Sequence, residues 1–187
     1  MDAYITLIIE STMCVISKIF VVILGLFCVP IFAEHFAATS SYQVCFTPGG
    51  KCTAQIVSAI NGAQQQILVQ AYAFTSRAIA RALVNAQQRG VQVVLLLDKS
   101  IVDNQPMLAY FKRENVPYKI DTMLAVAHNK VMIIDCHLVI TGSFNFTIAA
   151  EKDNAENVLI IDDQLLAQKY LDNWHRRERA ANKFNFS

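Results

Sequence analysis

Two kinds of apolar pattern alternate along the chain from about residue 42 onward. Short continuous runs rich in branched residues, such as residues 67–73 and 91–97, predict buried strands. Other segments, such as residues 103–115, repeat apolar residues every three or four positions, which predicts helices with one buried face. The regular alternation of the two patterns predicts an α/β fold.

The full set of predicted elements follows from this pattern and from the turn and capping residues between the segments. Strands are predicted at residues 42–46, 67–73, 91–97, 116–120, 130–134, 138–141 and 158–161, of which 116–120 is an edge strand. Helices are predicted at residues 51–65, from a Ser76 cap to Gly90, at residues 103–115, from about Phe146, and from Asp163.

The N-terminal segment differs from the rest, because residues 19–29 are uninterruptedly apolar and follow Lys18. This pattern is typical of a secretory signal peptide, which we expect to occupy residues 1–33 and to leave residues 34–187 as the mature domain. An uncleaved membrane anchor is the alternative, since residues 15–33 are nearly long enough to span a bilayer. We therefore expect an exported protein, periplasmic or secreted by a bacterium, with a membrane-anchored protein as the alternative.

Cysteine usage agrees with export. Cys45 and Cys52 bracket a turn sequence that can close a small loop, and we expect them to form a disulfide. Two free thiols in a reducing compartment are the alternative. Cys136 is the third cysteine of the mature domain, and we expect it to be a packed, unreactive thiol.

Composition describes an ordinary globular protein. The 187 residues are 54% apolar and 17% charged, enough for one domain with a core, and the sequence has no internal repeat or low-complexity tract. The formal net charge of +1 is too small to establish a nucleic-acid partner. A basic concentration near the C-terminus either contacts phosphates or, more commonly, lies on a solvated helix face: Arg176, Arg177, Arg179 and Lys183.

Candidate chemistry is concentrated between residues 128 and 145, where five polar residues and a glycine stand at fixed intervals: His128, Lys130, Asp135, Gly142, Ser143 and Asn145. Residues two apart on a strand project to the same side, so His128 and Lys130 should share a pocket. A cation beside the imidazole disfavours its protonation and supplies the positive charge that a phosphodiester requires.

The second half of this pattern suits an anion as well. Gly142 lets the backbone turn closely, and Ser143 and Asn145 present hydrogen-bond donors near the start of a helix. Together these positions describe a phosphate pocket. Asp135 stands an odd number of positions from His128 and should face away from the pocket, so we expect it to be structural and to tie down the turn that follows it.

The spacing His-x-Lys, four residues, Asp, six residues, Gly-Ser-x-Asn resembles the HKD signature of the phospholipase D superfamily. The resemblance covers nearly the whole mature chain and implies a mixed β-sheet flanked by helices on both faces. It also implies a hydrolase that cleaves phosphodiester bonds through a phosphohistidine, with no metal and no cofactor. By this resemblance the catalytic positions are His128, Lys130, Asn145, Glu156, Ser143 and Asp135, and the substrate-binding positions are Lys130, Ser143, Asn145 and Gly142.

Glu156 enters this set because it matches a carboxylate that the family places beside its histidine. We expect it to orient His128 and stabilise an imidazolium, with an ordinary surface acid as the alternative. Larger members of the superfamily carry two copies of the motif around one phosphate, whereas this chain carries one. The resemblance to the short members therefore implies a twofold homodimer with one shared site.

Size, leader and the Cys-x6-Cys start resemble the small secreted bacterial endonucleases of the family. Nucleic acid, DNA first and RNA second, is therefore the expected substrate. A phospholipid phosphodiesterase of the phospholipase D or cardiolipin hydrolase type is the alternative, with a membrane partner if the N-terminal segment is retained. A non-catalytic module that binds phosphate or nucleic acid is a further alternative, which the intact His128, Lys130 and Asn145 disfavour.

Overall fold

Seven strands form the central sheet of the computed structural model, which describes residues 34–103 and 105–182. They are β1 (Ser41–Thr47), β2 (Gln66–Ala71), β3 (Gln92–Asp98), β4 (Tyr118–Asp121), β5 (Lys130–Ile134), β6 (Leu138–Gly142) and β7 (Glu156–Asp162). Their order across the sheet is β1-β7-β6-β5-β2-β3-β4. β2, β3 and β4 pair in parallel, and the other neighbours pair antiparallel, so the sheet is mixed, as the resemblance implied.

Helices lie on both faces of this sheet within the described residues: α1 (Cys52–Gly62), α2 (Arg77–Gln88), α3 (Gln105–Arg113), the short α4 (Ile148–Lys152) and α5 (Gln164–Asn182). Helices α1, α2 and α3 bury apolar residues in a core that includes Val69 of β2. Helix α5 packs Leu171 and Trp174 into a second core that includes Leu68 of the same strand. Successive strand residues face opposite sides, so the two cores flank the sheet and the expected fold class is confirmed.

Every predicted strand and helix has a counterpart, but two helical segments differ in form. The helix predicted at residues 103–115 corresponds to α3, and a 3-10 turn at Lys99–Asp103 precedes it. The helix predicted from about Phe146 begins at Ile148, because the Thr147 side chain accepts a hydrogen bond from its first turn and caps it there, and it ends at Lys152. The predicted cap at Ser76 is confirmed.

The two cysteine predictions have opposite outcomes. Cys45 and Cys52 form a disulfide with Cα atoms 5.6 Å apart, which joins β1 to the start of α1 and confirms the predicted pairing. Cys136, predicted to be packed, is exposed, and that prediction is wrong. The reason is the tight turn between β5 and β6, where Asp135 and Cys136 have positive φ angles of 50° and 61° and so lie at the exposed tip of a hairpin.

The predicted leader, residues 1–33, lies outside the described residues, as does Lys183, and the leader stays a prediction. Over residues 34–103 and 105–182, no helix is both long enough and apolar enough to cross a membrane. The described residues from Phe36 onward form one compact unit.

The motif residues other than Asp135 lie at one edge of the sheet, where the central strands start or end. β5 starts at Lys130, which pairs with Ala71 at the end of β2. β6 ends at Gly142, and β7 starts at Glu156 on the same edge. Antiparallel neighbours place the start of one strand beside the end of the next, so His128, just ahead of β5, lies at this edge too.

Candidate active site

His128 and Lys130 meet directly at the start of β5. The Nζ atom of Lys130 lies 3.0 Å from Nδ1 of His128 and 3.0 Å from its backbone carbonyl oxygen. Tyr72 completes the group, with its ring centroid 4.6 Å from that of His128 and 5.1 Å from the Lys130 Nζ atom. The two motif residues therefore share one pocket with an aromatic wall.

Lys130 is nearly enclosed, with 7% of its surface exposed. This burial lowers the pKa of its ammonium group below the ordinary lysine value, and the nearby Glu156 carboxylate opposes part of that effect. An ammonium group only donates hydrogen bonds, so Nδ1 of His128 is the acceptor and a neutral ring carries its proton on Nε2. Nε2, on the far side of the ring from Lys130, is the nitrogen left for a substrate.

Ser143 and Glu156 form the second part of the site, where β6 ends and β7 starts. The Ser143 hydroxyl donates to Glu156 Oε2 at 2.5 Å and accepts a hydrogen bond from the backbone N–H of Asn157 at 3.1 Å. Glu156 Oε1 accepts a further hydrogen bond from Asn154 Nδ2 at 2.9 Å. Ser143 and Glu156 are thus held in fixed positions by neighbouring strands rather than by a mobile surface.

Gly142 permits the close approach of the two strands ahead of Ser143. Its φ angle of 148° is one that side chains rarely adopt, and a Cβ atom added there would stand 2.2 Å from the carbonyl oxygen of Asn157. That carbonyl oxygen accepts hydrogen bonds from the backbone N–H groups of Ser143 and Phe144. Glycine is therefore required by both conformation and space.

The expected contact between Glu156 and His128 is not formed: no hydrogen bond joins them in the part of the chain that the structure describes. Both carboxylate oxygens are hydrogen-bonded instead to Ser143 and Asn154, and the charge of Glu156 acts on Lys130. Strand order explains the difference, because Ser143 follows β6, the neighbour of β7, whereas His128 precedes β5, one strand further away. Within one chain, Lys130 therefore lies between the charge of Glu156 and the ring of His128.

Asn145 lies in the turn between β6 and α4. Its Oδ1 atom is buried and has no hydrogen-bond partner among residues 34–103 and 105–182. Phe144 and Phe146 on either side are buried in the core and fix the turn. An unpaired buried amide oxygen costs on the order of 1–3 kcal/mol, so packing alone does not account for an asparagine here.

Asp135 lies outside this site, at the opposite end of β5. Its carboxylate accepts hydrogen bonds from the backbone N–H groups of Gln64, Gln65 and Gln66 at 2.8, 2.8 and 2.9 Å. It therefore ties the connection between α1 and β2 to the β5–β6 hairpin, rather than tying down the turn that follows it. Of the residues named for catalysis, Asp135 is the one that the structure places away from the others, and its role is structural.

Sequence reasoning misses two residues that shape the site. Buried Asp98, at the end of β3, accepts hydrogen bonds from the backbone N–H groups of Ala127 and Ser100 at 2.6 and 2.8 Å, which holds the segment just before His128. Burial raises the pKa of its carboxyl group, but these hydrogen bonds outweigh burial and the pKa lies below its ordinary value. For Asp98, the sequence did contain a signal, an acidic residue at the end of a buried apolar strand. For Tyr72 the sequence contained no signal, because its contact with His128 depends on the pairing of β2 with β5.

The C-terminal arginines do not form one group. Arg177 donates hydrogen bonds to both carboxylate oxygens of the buried Asp121 at 2.6 Å, which fastens α5 to the end of β4. Arg176 is exposed and donates to Asn173 Oδ1 at 2.7 Å. Arg177 is therefore a structural residue, and Arg176 lies on a solvated helix face.

Comparisons with known proteins identify the family to which this fold belongs. The family model described as "Cardiolipin synthase, PLD-like domain" matches residues 56–177. A Rickettsia prowazekii protein named "Phospholipase D" is 46% identical over 148 residues, which cover 79% of this chain and 72% of that protein. The chain belongs to the phospholipase D superfamily, and it is a hydrolase of the phospholipase D-like phosphodiesterase type.

Two further similarities bear on the substrate. The crystal structure of Nuc from Salmonella typhimurium, a phospholipase D family member, superposes with a TM-score of 0.72 at 36% identity and covers 75% of this chain and 95% of that one. A dog protein named "Mitochondrial cardiolipin hydrolase" is 29% identical over 134 residues, which cover 71% of this chain and 53% of that protein. Relatives named for different activities, phospholipase D and cardiolipin hydrolase, therefore match similar shares of this chain.

Proposed function

We propose that this protein is an endonuclease that hydrolyses the phosphodiester bonds of DNA, with RNA as a second substrate. The observation that carries the proposal is the contact between His128 and the buried Lys130, beside Ser143 and Glu156, at one edge of the sheet. This arrangement supplies a nucleophile, a positive charge and hydrogen-bond donors for one phosphate group. The size of the chain, its predicted leader and the Cys45–Cys52 pair resemble those of the small secreted endonucleases, which favours nucleic acid over lipid.

The chemistry consists of two displacements at phosphorus. In the first, Nε2 of one His128 bonds to phosphorus, and the phosphorus–oxygen ester bond breaks as a second, protonated His128 gives a proton to the departing oxygen. The attacking ring carries its proton on Nδ1 in this step, so Lys130 then donates to the His128 carbonyl oxygen and no longer to Nδ1. In the second, that second imidazole takes a proton from water, the water oxygen bonds to phosphorus, and the phosphorus–nitrogen bond breaks. Lys130 and Asn145 stabilise the negative charge on the non-bridging oxygens in both steps, and Ser143 joins them when its hydroxyl turns from Glu156 to the phosphate.

This scheme needs two histidines, so we propose a twofold homodimer with one shared site. An axis that brings two His128 rings to one phosphorus also brings together the residues just before them. Among those residues, three apolar ones are exposed, with 43, 45 and 48% of their surface accessible to solvent: Met123, Leu124 and Val126. Adjacent exposed apolar side chains are suited to burial against a second copy. We expect Leu124→Glu to weaken the dimer in sedimentation and to lower activity in parallel.

The test is cleavage of plasmid DNA and of RNA by the purified full chain in excess EDTA, beside His128→Ala. We expect wild-type cleavage to survive EDTA, because Lys130 supplies the charge, and to disappear in the variant. Loss of cleavage to EDTA alone would contradict the mechanism. Absence of cleavage by a folded wild-type dimer would overturn the nuclease proposal itself.

A phospholipid phosphodiesterase is the second candidate. It is favoured by the name of the Rickettsia relative and by the cardiolipin hydrolase similarity. In this case the exposed loop around Met123, Leu124 and Val126 contacts the bilayer beside the catalytic histidine. Hydrolysis of cardiolipin or phosphatidylcholine in vesicles, with DNA and RNA left intact, would establish this candidate in place of the first.

We propose that the protein is exported. The disulfide between Cys45 and Cys52 supports this, because such bonds persist in oxidising compartments. Mass spectrometry of the native protein tests the proposal, with a mature N-terminus near residue 34 as the expected result. Retention of residues 15–33 in a membrane fraction would favour the anchored form.

A further inference from the structure

A groove of about 670 Å³ lies between α2 and α3. Three arginines line it, Arg77 and Arg81 from α2 and Arg113 from α3, together with the ring of Tyr110. No acidic side chain is among the described residues that form its lining. The groove is thus a concave surface with one sign of charge, which concentrates anions.

The charges of Arg77 and Arg81 are not neutralised. The two residues stand four apart on one face of α2 and are both exposed, and neither side chain makes a hydrogen bond or ion pair with any other described residue. Like charges at this spacing disfavour a helix, and cations near a helix N-terminus oppose its dipole. Folding therefore gains nothing from this pair, whereas a bound anion would relieve both costs.

Arg113 and Tyr110 give the opposite wall a different character. The guanidinium group of Arg113 lies 5.1 Å from the centre of the Tyr110 ring and makes an exposed ion pair with Glu114 at 3.0 Å. A half-exposed aromatic ring beside arginines can stack a nucleobase while the arginines bind phosphate oxygens. The two walls together match the two components of a nucleotide chain.

The groove is joined to the active site by two loops. Thr75, which lines the groove, follows Tyr72 of the histidine pocket by three residues, and Ile148, also in the lining, follows Asn145 by three. The backbone N–H groups of Thr75 and Ser76 both donate to the carbonyl oxygen of Phe146 at 2.9 Å, which fastens the two loops together. Each loop therefore contributes to the pocket and to the groove.

We propose that this groove binds the polynucleotide chain on one side of the scissile phosphodiester, with Arg77 and Arg81 on its phosphates and Tyr110 against a base. The inference rests on the proposed nuclease function and names the residues that would select a polymer over a substrate with a single phosphodiester. A small diester fills the His128 pocket alone and gains nothing from the groove.

The binding experiment uses full-length protein carrying His128→Ala, so that a labelled 20-nucleotide single-stranded DNA is not cleaved. Adding Arg77→Ala and Arg81→Ala should weaken binding about 10- to 100-fold and reduce the slope of log Kd against log salt by about 1.4, or 0.7 for each lost contact. The matched control is Lys112→Ala, which removes an exposed charge from α3 outside the groove. An unchanged slope, or an equal effect of Lys112→Ala, overturns the proposal.

A kinetic comparison separates this inference from the proposed function. With His128 intact, the double arginine variant should lose at least about 10-fold more kcat/KM on the DNA 20-mer than on bis(p-nitrophenyl) phosphate, and Arg77→Lys with Arg81→Lys should recover part of the loss. Equal losses on both substrates would contradict the groove while leaving the nuclease in place. If the arginine substitutions reduce the salt slope of DNA binding as expected but the wild-type protein cleaves no DNA, the groove proposal stands and the nuclease proposal is contradicted.

Discussion

The carboxylate of Glu156 raises the pKa of Lys130, and burial of Lys130 lowers it by more. The lysine is thus kept less basic than usual while it donates to Nδ1 of His128. Burial strengthens its electrostatic effect on a phosphate, and the carboxylate favours its charged form. Within one chain, Glu156 therefore acts on the protonation of Lys130 and makes no direct hydrogen bond to the histidine.

The first prediction concerns the alkaline limb of the pH–rate profile. Activity requires protonated Lys130, whose pKa lies below the ordinary lysine value of 10.5, so the wild-type rate on DNA should begin to fall below that pH. Glu156→Gln removes the negative charge that raises the pKa of Lys130, so the alkaline limb of the profile should move to lower pH. The exposed Asp153→Asn is the matched control and should leave the limb in place. A limb that stays fixed or moves to higher pH in Glu156→Gln would contradict this role.

Much of the fold was predictable because each strand and helix carries its own apolar period. The histidine pocket was predictable for a similar reason. His128 and Lys130 are two residues apart, and side chains two apart on an extended backbone point to the same side. Contacts between side chains on different strands could not be predicted from the sequence, because they depend on which strands are neighbours. The absence of a Glu156–His128 hydrogen bond follows from the strand order, and the contact of Tyr72 with His128 follows from the pairing of β2 with β5. The exposure of Cys136 follows from a turn type that an Asp-Cys dipeptide does not indicate.

The second prediction compares two glycines. Gly142→Ala places a Cβ atom against the backbone oxygen of Asn157 at a φ angle unsuited to alanine, and should lower the free energy of unfolding by about 2–4 kcal/mol. Gly62→Ala, at the end of α1, meets no atom within 4 Å and should change it by less than about 1 kcal/mol. Urea unfolding of both variants measures the difference. Similar losses in the two variants would mean that the contact with Asn157 does not constrain residue 142.

The third prediction concerns acid stability. Burial raises the pKa of the Asp135 carboxyl group, but the hydrogen bonds from Gln66, Gln64 and Gln65, aided by His137, outweigh it and lower the pKa overall. A lowered carboxyl pKa stabilises the fold above the unfolded value, about 3.9, and this contribution is lost as pH falls through the folded value. Asp135→Asn should therefore cost about 2–3 kcal/mol at pH 7, and its deficit should shrink below about pH 4.

Urea unfolding at several pH values measures this deficit, and the exposed Asp103→Asn serves as the control. A deficit that is the same at pH 7 and at pH 3 would show that the charge on Asp135 is not what stabilises the loop. A negligible deficit at pH 7 would remove the structural role assigned to this motif position.

The last prediction tests whether two chains share one site. Wild-type and His128→Ala chains, mixed in equal amounts and allowed to exchange, should leave about a quarter of the dimers with two histidines, against about half without exchange. Activity should therefore fall to about half that of the same amount of wild type diluted alone. Mixing with Arg176→Ala instead, which keeps both histidines, should cause no such loss. Native mass spectrometry verifies the exchange. If heterodimers form and activity falls no further than dilution requires, one His128 suffices and the second histidine is not the general acid.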